Sequence, residues 1–248
     1  HAGVWLGGEA ADLNGYRIAF LLMAALPLLT WWWVRRTPDL PSAASPAEQG
    51  KRRAWDLLRD PMMRRLLLVN WFLSSCWDVH TFVLPVLGHE RGYSASTIGM
   101  LLGSFALAAT LVRLLMPWLA AHLREWLVIS GAMLATALLF GAYPFMPNAL
   151  GMGVCSVLLG LVLGSVQPMI MSTLHQITPA DRHGEALGLR LMSLNGSSVL
   201  MPLLFGSIGA VVGVSLVFWV VGAAVGAGSR LAWSLRAEPH PPGDKTTG

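Results

Sequence analysis

Asp78 and His80 stand near the middle of residues 66–85, LLLVNWFLSSCWDVHTFVLP, among Leu, Val, Phe and Trp. As a helix this run is about long enough to cross a bilayer core of roughly 30 Å. Asp78 then lies about 18 Å in from Leu66. A charge at that depth is expensive, so a carboxylate there calls for a cavity, a polar partner or a proton. At about 100° per residue, Trp71, Ser74, Ser75, Asp78, Thr81 and Pro85 fall within roughly 60° of one line. Such a polar stripe with an aromatic suits a cavity wall and marks Asp78 as a candidate proton carrier. The alternative is a structural Asp bonded to a neighbouring helix. His80, about 200° further round, cannot share Asp78's direction and faces another helix or another surface.

Other polar residues interrupt apolar runs. Gln167, beside Pro168, aligns with Gly160, Gly164 and Met171, and Asn195 aligns with Gly188, Met192, Pro202 and Gly206. Either side chain can bond a solute or a neighbouring helix. Arg113, near the end of its run, either snorkels to lipid headgroups or forms a gating salt bridge. Asp181, Arg182, His183 and Glu185 form a charged loop, read either as solvated or as a gate touching Arg190. The pairs Gly160/Gly164, Gly184/Gly188 and Gly222/Gly226 have the spacing of close helix packing, and nothing in them reads as a nucleotide site.

The elements that position these residues are membrane helices. The 248-residue chain is 54% hydrophobic and 12% charged, about half the charge of a soluble domain. Its mean hydropathy is +0.58, and the apolar residues come in long runs. Seven spans are predicted, at 16–34, 66–85, 95–118, 126–143, 150–173, 187–208 and 212–235, with a Gly-containing turn between the last two. Trp31, Trp32 and Trp33 before Arg35 and Arg36 read as an interfacial belt. Ser94-Ala-Ser-Thr97 reads as a helix start. Cys76 and Cys155 fall inside spans and read as packing residues rather than a disulfide or metal pair. No cofactor is expected.

Residues 36–63 form the long polar segment, with TPDLPSAASPAEQGKRR followed by AWDLLRD, the latter patterned as an amphipathic surface helix. The Pro-rich tail 237–248 reads as disordered. The isoelectric point of about 9.6 reflects cations flanking apolar runs, not a nucleic-acid module. Arg35, Arg36, Lys51, Arg52, Arg53, Arg59, Arg64 and Arg65 share one side with Arg124, Arg182, Arg230, Arg236 and Lys245, whereas Arg17 and Arg91 lie on the other. That bias puts the linker and C-terminus in the cytoplasm. The chain opens on His1 with Gly-rich residues that read as the end of an earlier helix, so an N-terminally truncated sequence is expected.

Three stretches carry a family resemblance. Gly15-Tyr-Arg-Ile-Ala-Phe20 precedes a basic central loop. Arg113-Leu-Leu-Met-Pro-Trp-Leu-Ala-Ala-His-Leu-Arg124 occupies the place of a Gly-x-x-x-Asp-Arg loop, with Pro117 for the Gly and Ala121 for the Asp. Pro179-Ala-Asp-Arg-His-Gly184 is followed by Gly188, Asn195, Pro202 and Gly206. In this order of spans, linker and loops the chain resembles the major facilitator superfamily of secondary transporters. The resemblance implies an all-α polytopic membrane protein corresponding to the C-terminal six-helix half, residues 64–236, preceded in 1–35 by the end of helix five and helix six. It implies alternating access, with substrate bound between two halves of which this chain supplies one.

Other classes fit less well. An intramembrane enzyme lacks a two-His helix motif and a nucleophile elbow, and Asp78 and His80 point apart. A retinal photoreceptor needs a lysine inside a span, and Lys51 and Lys245 lie in polar segments. The expectation is therefore a bacterial inner-membrane transporter of a small organic solute, coupled to protons. The competing expectation is a truncated fragment without activity of its own.

Overall fold

The computed structural model describes residues 13–36, 53–119 and 123–236, with backbone only at 13–20, 22, 117, 119 and 206–212. Residues 1–12, most of the linker, Ala121 and the tail 237–248 lie outside the described residues. The chain divides into two units, residues 1–52 and 53–248.

The first unit contributes α1, Leu13–Val34. At its end the Arg35 and Arg36 guanidinium groups sit over the Trp31 and Trp32 rings at 4.1 Å and 3.8 Å. Cation–π pairs of this kind hold charge at the edge of an apolar span.

The second unit opens with a 3-10 turn, Ala54–Arg59. The amphipathic surface helix expected here is a 3-10 helix of six residues, about two turns, anchored by Leu57 in the core. Six helices follow: α2, Pro61–Glu90; α3, Ala95–Leu119; α4, Glu125–Ala142; α5, Ala149–Ile177; α6, His183–Val212; and α7, Val214–Trp233. Each contains a stretch long and apolar enough to cross a membrane. With α1, whose described apolar stretch is Met23–Val34, the all-α polytopic architecture matches the expectation from sequence.

Local chemistry sets the ends. Asp60 Oδ1 accepts from Met62 N–H at 2.9 Å with Pro61 at the first helical position, a good helix start because proline lacks the donor that would go unmet. Ser94 Oγ accepts from Thr97 N–H at 3.2 Å and starts α3 where the sequence indicated. Asn148 Oδ1 accepts from Gly151 N–H at 2.9 Å and starts α5. α2 ends on Gly92 in the left-handed region at φ 72°, the usual glycine stop. The turn between the last two helices is tighter than expected: α6 runs on to Val212, and Gly213 alone, at φ 90°, reverses the chain.

α2 is the hub. It packs against α3, α5, α6 and α7, while α3 lies along α5 and α4 along α7. α2 is the most buried span, and α3 and α6 are the least. The glycine pairs separate by role. A Cβ on Gly164 would lie 2.6 Å from Val112 Cγ1 and 2.8 Å from the Ala109 backbone, so α3 and α5 touch through it. Gly222 likewise faces Ala137 and Phe140 of α4. Gly184 and Gly188 do not pack as their spacing indicated. A Cβ there meets nothing within 4 Å, because both lie on a face of α6 that the described helices leave uncovered.

This contact predicts a strong asymmetry between glycines. Gly164→Val should destabilise the bundle by about 1–3 kcal/mol, the usual range for overpacking, and lower its thermal unfolding midpoint in detergent. Gly131→Ala, on an open face of α4, should leave that midpoint unchanged or raise it.

Candidate functional site

Asp78 is carried by α2 on a face that is otherwise open. Leu68 and Phe82 on that face are exposed, yet Ser75 and Asp78 between them are 3% and 8% exposed. α6 crosses here and covers them. Ser197 Oγ donates to Asp78 Oδ2 at 2.9 Å, and Ser198 Oγ donates to Oδ1 at 3.4 Å. Ser197 Oγ also lies 3.1 Å from Ser75 Oγ, which donates to Trp71 O at 2.7 Å. The carboxyl group therefore sits at a seam between two helices, not in an open passage. A nearby open hollow of about 510 Å³ reaches Trp71 and Ser193, roughly two helical turns before Asp78.

The chemistry of this seam lies in its partner types. A serine hydroxyl both donates and accepts. Both Ser197 and Ser198 can donate to the carboxylate, and either one can accept the single O–H of the protonated acid while the other donates to its carbonyl oxygen. Among the described residues no Arg, Lys or His forms an ion pair with Asp78. A fixed cation would lock the charged form, and two hydroxyls leave both forms satisfied.

The rest of the stripe divides. Trp71 is half-buried and stands edge-on to Phe72 at 5.5 Å. Ser74 is buried. Thr81 donates back along its own helix to Trp77 O at 3.0 Å. Asn195 is exposed and donates to Leu191 O at 2.9 Å, so its amide meets no other helix.

His80 lies on the other side of α2, as its angle required, and is fully buried. Its Nε2 is 3.1 Å from Ser156 Oγ, which is 2.8 Å from Tyr143 Oη. The His80 ring stacks on Phe105 at 4.3 Å. This cluster ties α2 to α3 and α5. Its serine and tyrosine partners were not singled out in the sequence, since a hydroxyl in an apolar run carries no signal of direction.

In the charged loop Arg182 Nη2 lies 2.5 Å from Glu185 Oε2 and donates to Arg53 O at 3.0 Å. His183 Nε2 is 3.0 Å from Thr178 O. The loop therefore holds the start of the second unit and does not bond Arg190. Arg190 instead donates from Nη2 to Gln167 Oε1, joining α6 to α5. Arg113 is exposed, with its guanidinium 5.1 Å from the Trp77 ring centre, and no carboxylate among the described residues pairs with it. The geometry is that of a snorkelling arginine. On the opposite end of the bundle, Arg91 donates to Pro144 O at 2.6 Å and Met146 O at 2.7 Å, fixing the α4–α5 connection.

The family model described as Major Facilitator Superfamily matches residues 2–148 and, in a second, overlapping match, residues 66–248. The chain belongs to the Major Facilitator Superfamily. A comparison with curated proteins returns no match. Membership together with six apolar spans makes this a multi-pass membrane protein of a transporter family. Ser197 and Ser198 are the superfamily chain's residues that sequence reading missed. The polar cluster Asn195-Gly-Ser-Ser198 inside an apolar helix was the available signal, but Asn195 drew attention first.

The seam predicts a stability effect with a clear order. Ser197→Ala leaves Asp78 with its weaker partner alone and should destabilise the bundle by about 1–3 kcal/mol, as loss of one partner of a buried polar group does. Ser198→Ala should cost less, in line with its longer contact. Thermal unfolding of the two variants side by side in one detergent checks the order.

Proposed function

We propose that this chain is one half of a secondary active transporter that moves a small organic solute by alternating access, coupled to protons through Asp78. Family membership supports transport in general. The single observation that favours proton coupling is an intramembrane carboxyl group held by two hydroxyls and no cation, an arrangement that tolerates both protonation states.

The mechanism follows from where Asp78 sits. With α6 closed on α2, the carboxyl group is covered and cannot exchange protons with water. Movement of α6 away from α2 breaks the Ser197 and Ser198 contacts and uncovers it. Bound solute that favours one position of α6 therefore biases the protonation of Asp78, and protonation biases the position of α6. This reciprocity is the thermodynamic content of coupling. On this reading Trp71, Ser74, Thr81, Gln167 and Asn195 belong to the solute side of α2, α5 and α6. Arg113, Arg182 and Glu185 belong to the ends of the bundle on the linker side.

The uncovered face of α6, with Gly184, Gly188 and Asn195, supports a second structural half completing the site. Without that half the chain has no opposing wall against which to alternate. The linker side and C-terminus are assigned to the cytoplasm of a bacterial inner membrane on the bias of basic residues.

The test uses everted membrane vesicles containing the transporter. Asp78→Asn should abolish solute flux driven by a pH gradient while exchange of solute for solute persists. Equal pH-driven flux in the wild type and Asp78→Asn at every imposed gradient would remove the coupling assignment.

A further inference from the structure

Arg190 is a cation inside the membrane with no anion beside it. It stands on α6 about 10 Å from the His183 end and about two turns before Ser197. Seven residues correspond to roughly 20° of net rotation, so Arg190 and Ser197 share a face of α6. Its Nη2 donates to Gln167 Oε1, and its Nε is buried without a hydrogen-bond partner. Glu185, the acidic residue nearest to it in sequence, is taken by Arg182. Among the described residues no carboxylate forms an ion pair with Arg190.

A guanidinium at this depth is costly unless it is paired. Gln167 is neutral: it holds the fork in place and leaves the charge uncompensated. Of the five guanidinium donors one bonds Gln167 and the buried Nε–H is unmet, which leaves the remaining Nη donors for another acceptor. α5 and α6 share few close backbone contacts, and this side-chain bridge is what joins them at this level. Two parallel N–H groups in a fixed plane match a carboxylate in bidentate geometry. Gln167 orients the fork much as a supporting residue orients a metal ligand, by occupying one donor and fixing the plane.

We propose that Arg190, oriented by Gln167, is the anion-recognising end of the solute site and that the transported solute carries a carboxylate. This rests on the transport reading above and adds the substrate class. The carboxylate supplies the missing counterion, and the rest of the solute extends along α6 towards Ser197 and Asp78. Docking of the anion neutralises Arg190, and the two ionisable groups of the site are then used separately, one for the solute and one for the proton.

The same guanidinium could take a lipid phosphate, so the test separates the two sources. Benzoate, phenylacetate and octanoate, each beside its primary amide, are titrated calorimetrically against the full chain in phosphatidylcholine nanodiscs, with and without phosphatidylglycerol. At least one acid should bind roughly tenfold or more tightly than its amide, the effect of a charge-assisted hydrogen bond, in both lipid compositions. Arg190→Gln should erase the preference, and Arg190→Lys should retain part of it. Gln167→Glu should abolish acid binding, because it places an internal carboxylate on the fork while keeping the α5–α6 bridge that folding needs. Monodisperse elution of each variant and a Gly131→Ala control exclude loss of fold. Equal affinity for acid and amide, no binding of any acid, or an unchanged preference in Arg190→Gln overturns the proposal. So does acid binding that is lost when phosphatidylglycerol is present, which assigns the arginine to a headgroup. No proton gradient enters this measurement, so its failure is distinct from failure of pH-driven flux.

Discussion

Hydrocarbon offers no hydrogen bonds, and this constraint organises the bundle. α2 carries the densest set of polar groups, with Ser74, Ser75, Asp78, His80 and Thr81 within a few turns. Each needs a partner from another helix or from its own backbone. α6 meets Asp78 and Ser75 on one side, and α5 with the Tyr143 turn meets His80 on the other. The central position of α2 is therefore a consequence of its polarity. A helix with these residues placed against lipid would leave several buried groups unmet, at a cost of a few kcal/mol each.

The two polar clusters on α2 differ in what surrounds them. The His80 ring stacks on Phe105 with centres 4.3 Å apart and stands edge-on to Tyr143 at 5.9 Å, and Tyr143 in turn stacks on Phe218 at 5.0 Å. Aromatic stacking and close glycine contacts such as Gly164 on Ala109 make that side rigid. The Asp78 side is held by three hydroxyls, and α6 beyond it is largely uncovered. α6 also places Ala186 and Leu189 in the core it shares with α2, so the hydroxyl contacts lie beside an apolar seam.

The architecture was legible in the sequence because its signal is summed over whole spans. Runs of about 20 apolar residues, Trp-Arg edges and the helix start at Ser94 indicated the helices, while several ends run four or five residues past the apolar runs. The α6–α7 turn was misplaced because α6 runs past its apparent glycine stop, and only the positive φ of Gly213 reverses the chain. The site was legible by residue and not by pairing. Asp78, Gln167 and Arg190 could each be singled out as polar groups in apolar surroundings, but which one meets which depends on helix crossing and rotation. The 100° rule separated Asp78 from His80 because both lie on one helix. It had no power over Asp78 and Ser197, which lie on different helices, or over Arg190, which the charged loop seemed to claim until Glu185 proved to be engaged by Arg182.

Asp78 and Arg190 are the two intramembrane charges of the α2–α6 region, and their separation carries the remaining argument. Had they paired directly, each would have satisfied the other, and the bundle would hold a buried salt bridge with neither group free to titrate or bind. The chain instead spends serines on the acid and a glutamine on the base. Each neutral partner fixes geometry and leaves charge available. Two turns of α6 keep the opposite charges apart, so a movement of α6 alters the surroundings of both at once. Under the proposed transport reading, a shift of α6 that uncovers the carboxyl group would also change the reach of the guanidinium towards α5, because both contacts lie on one helix.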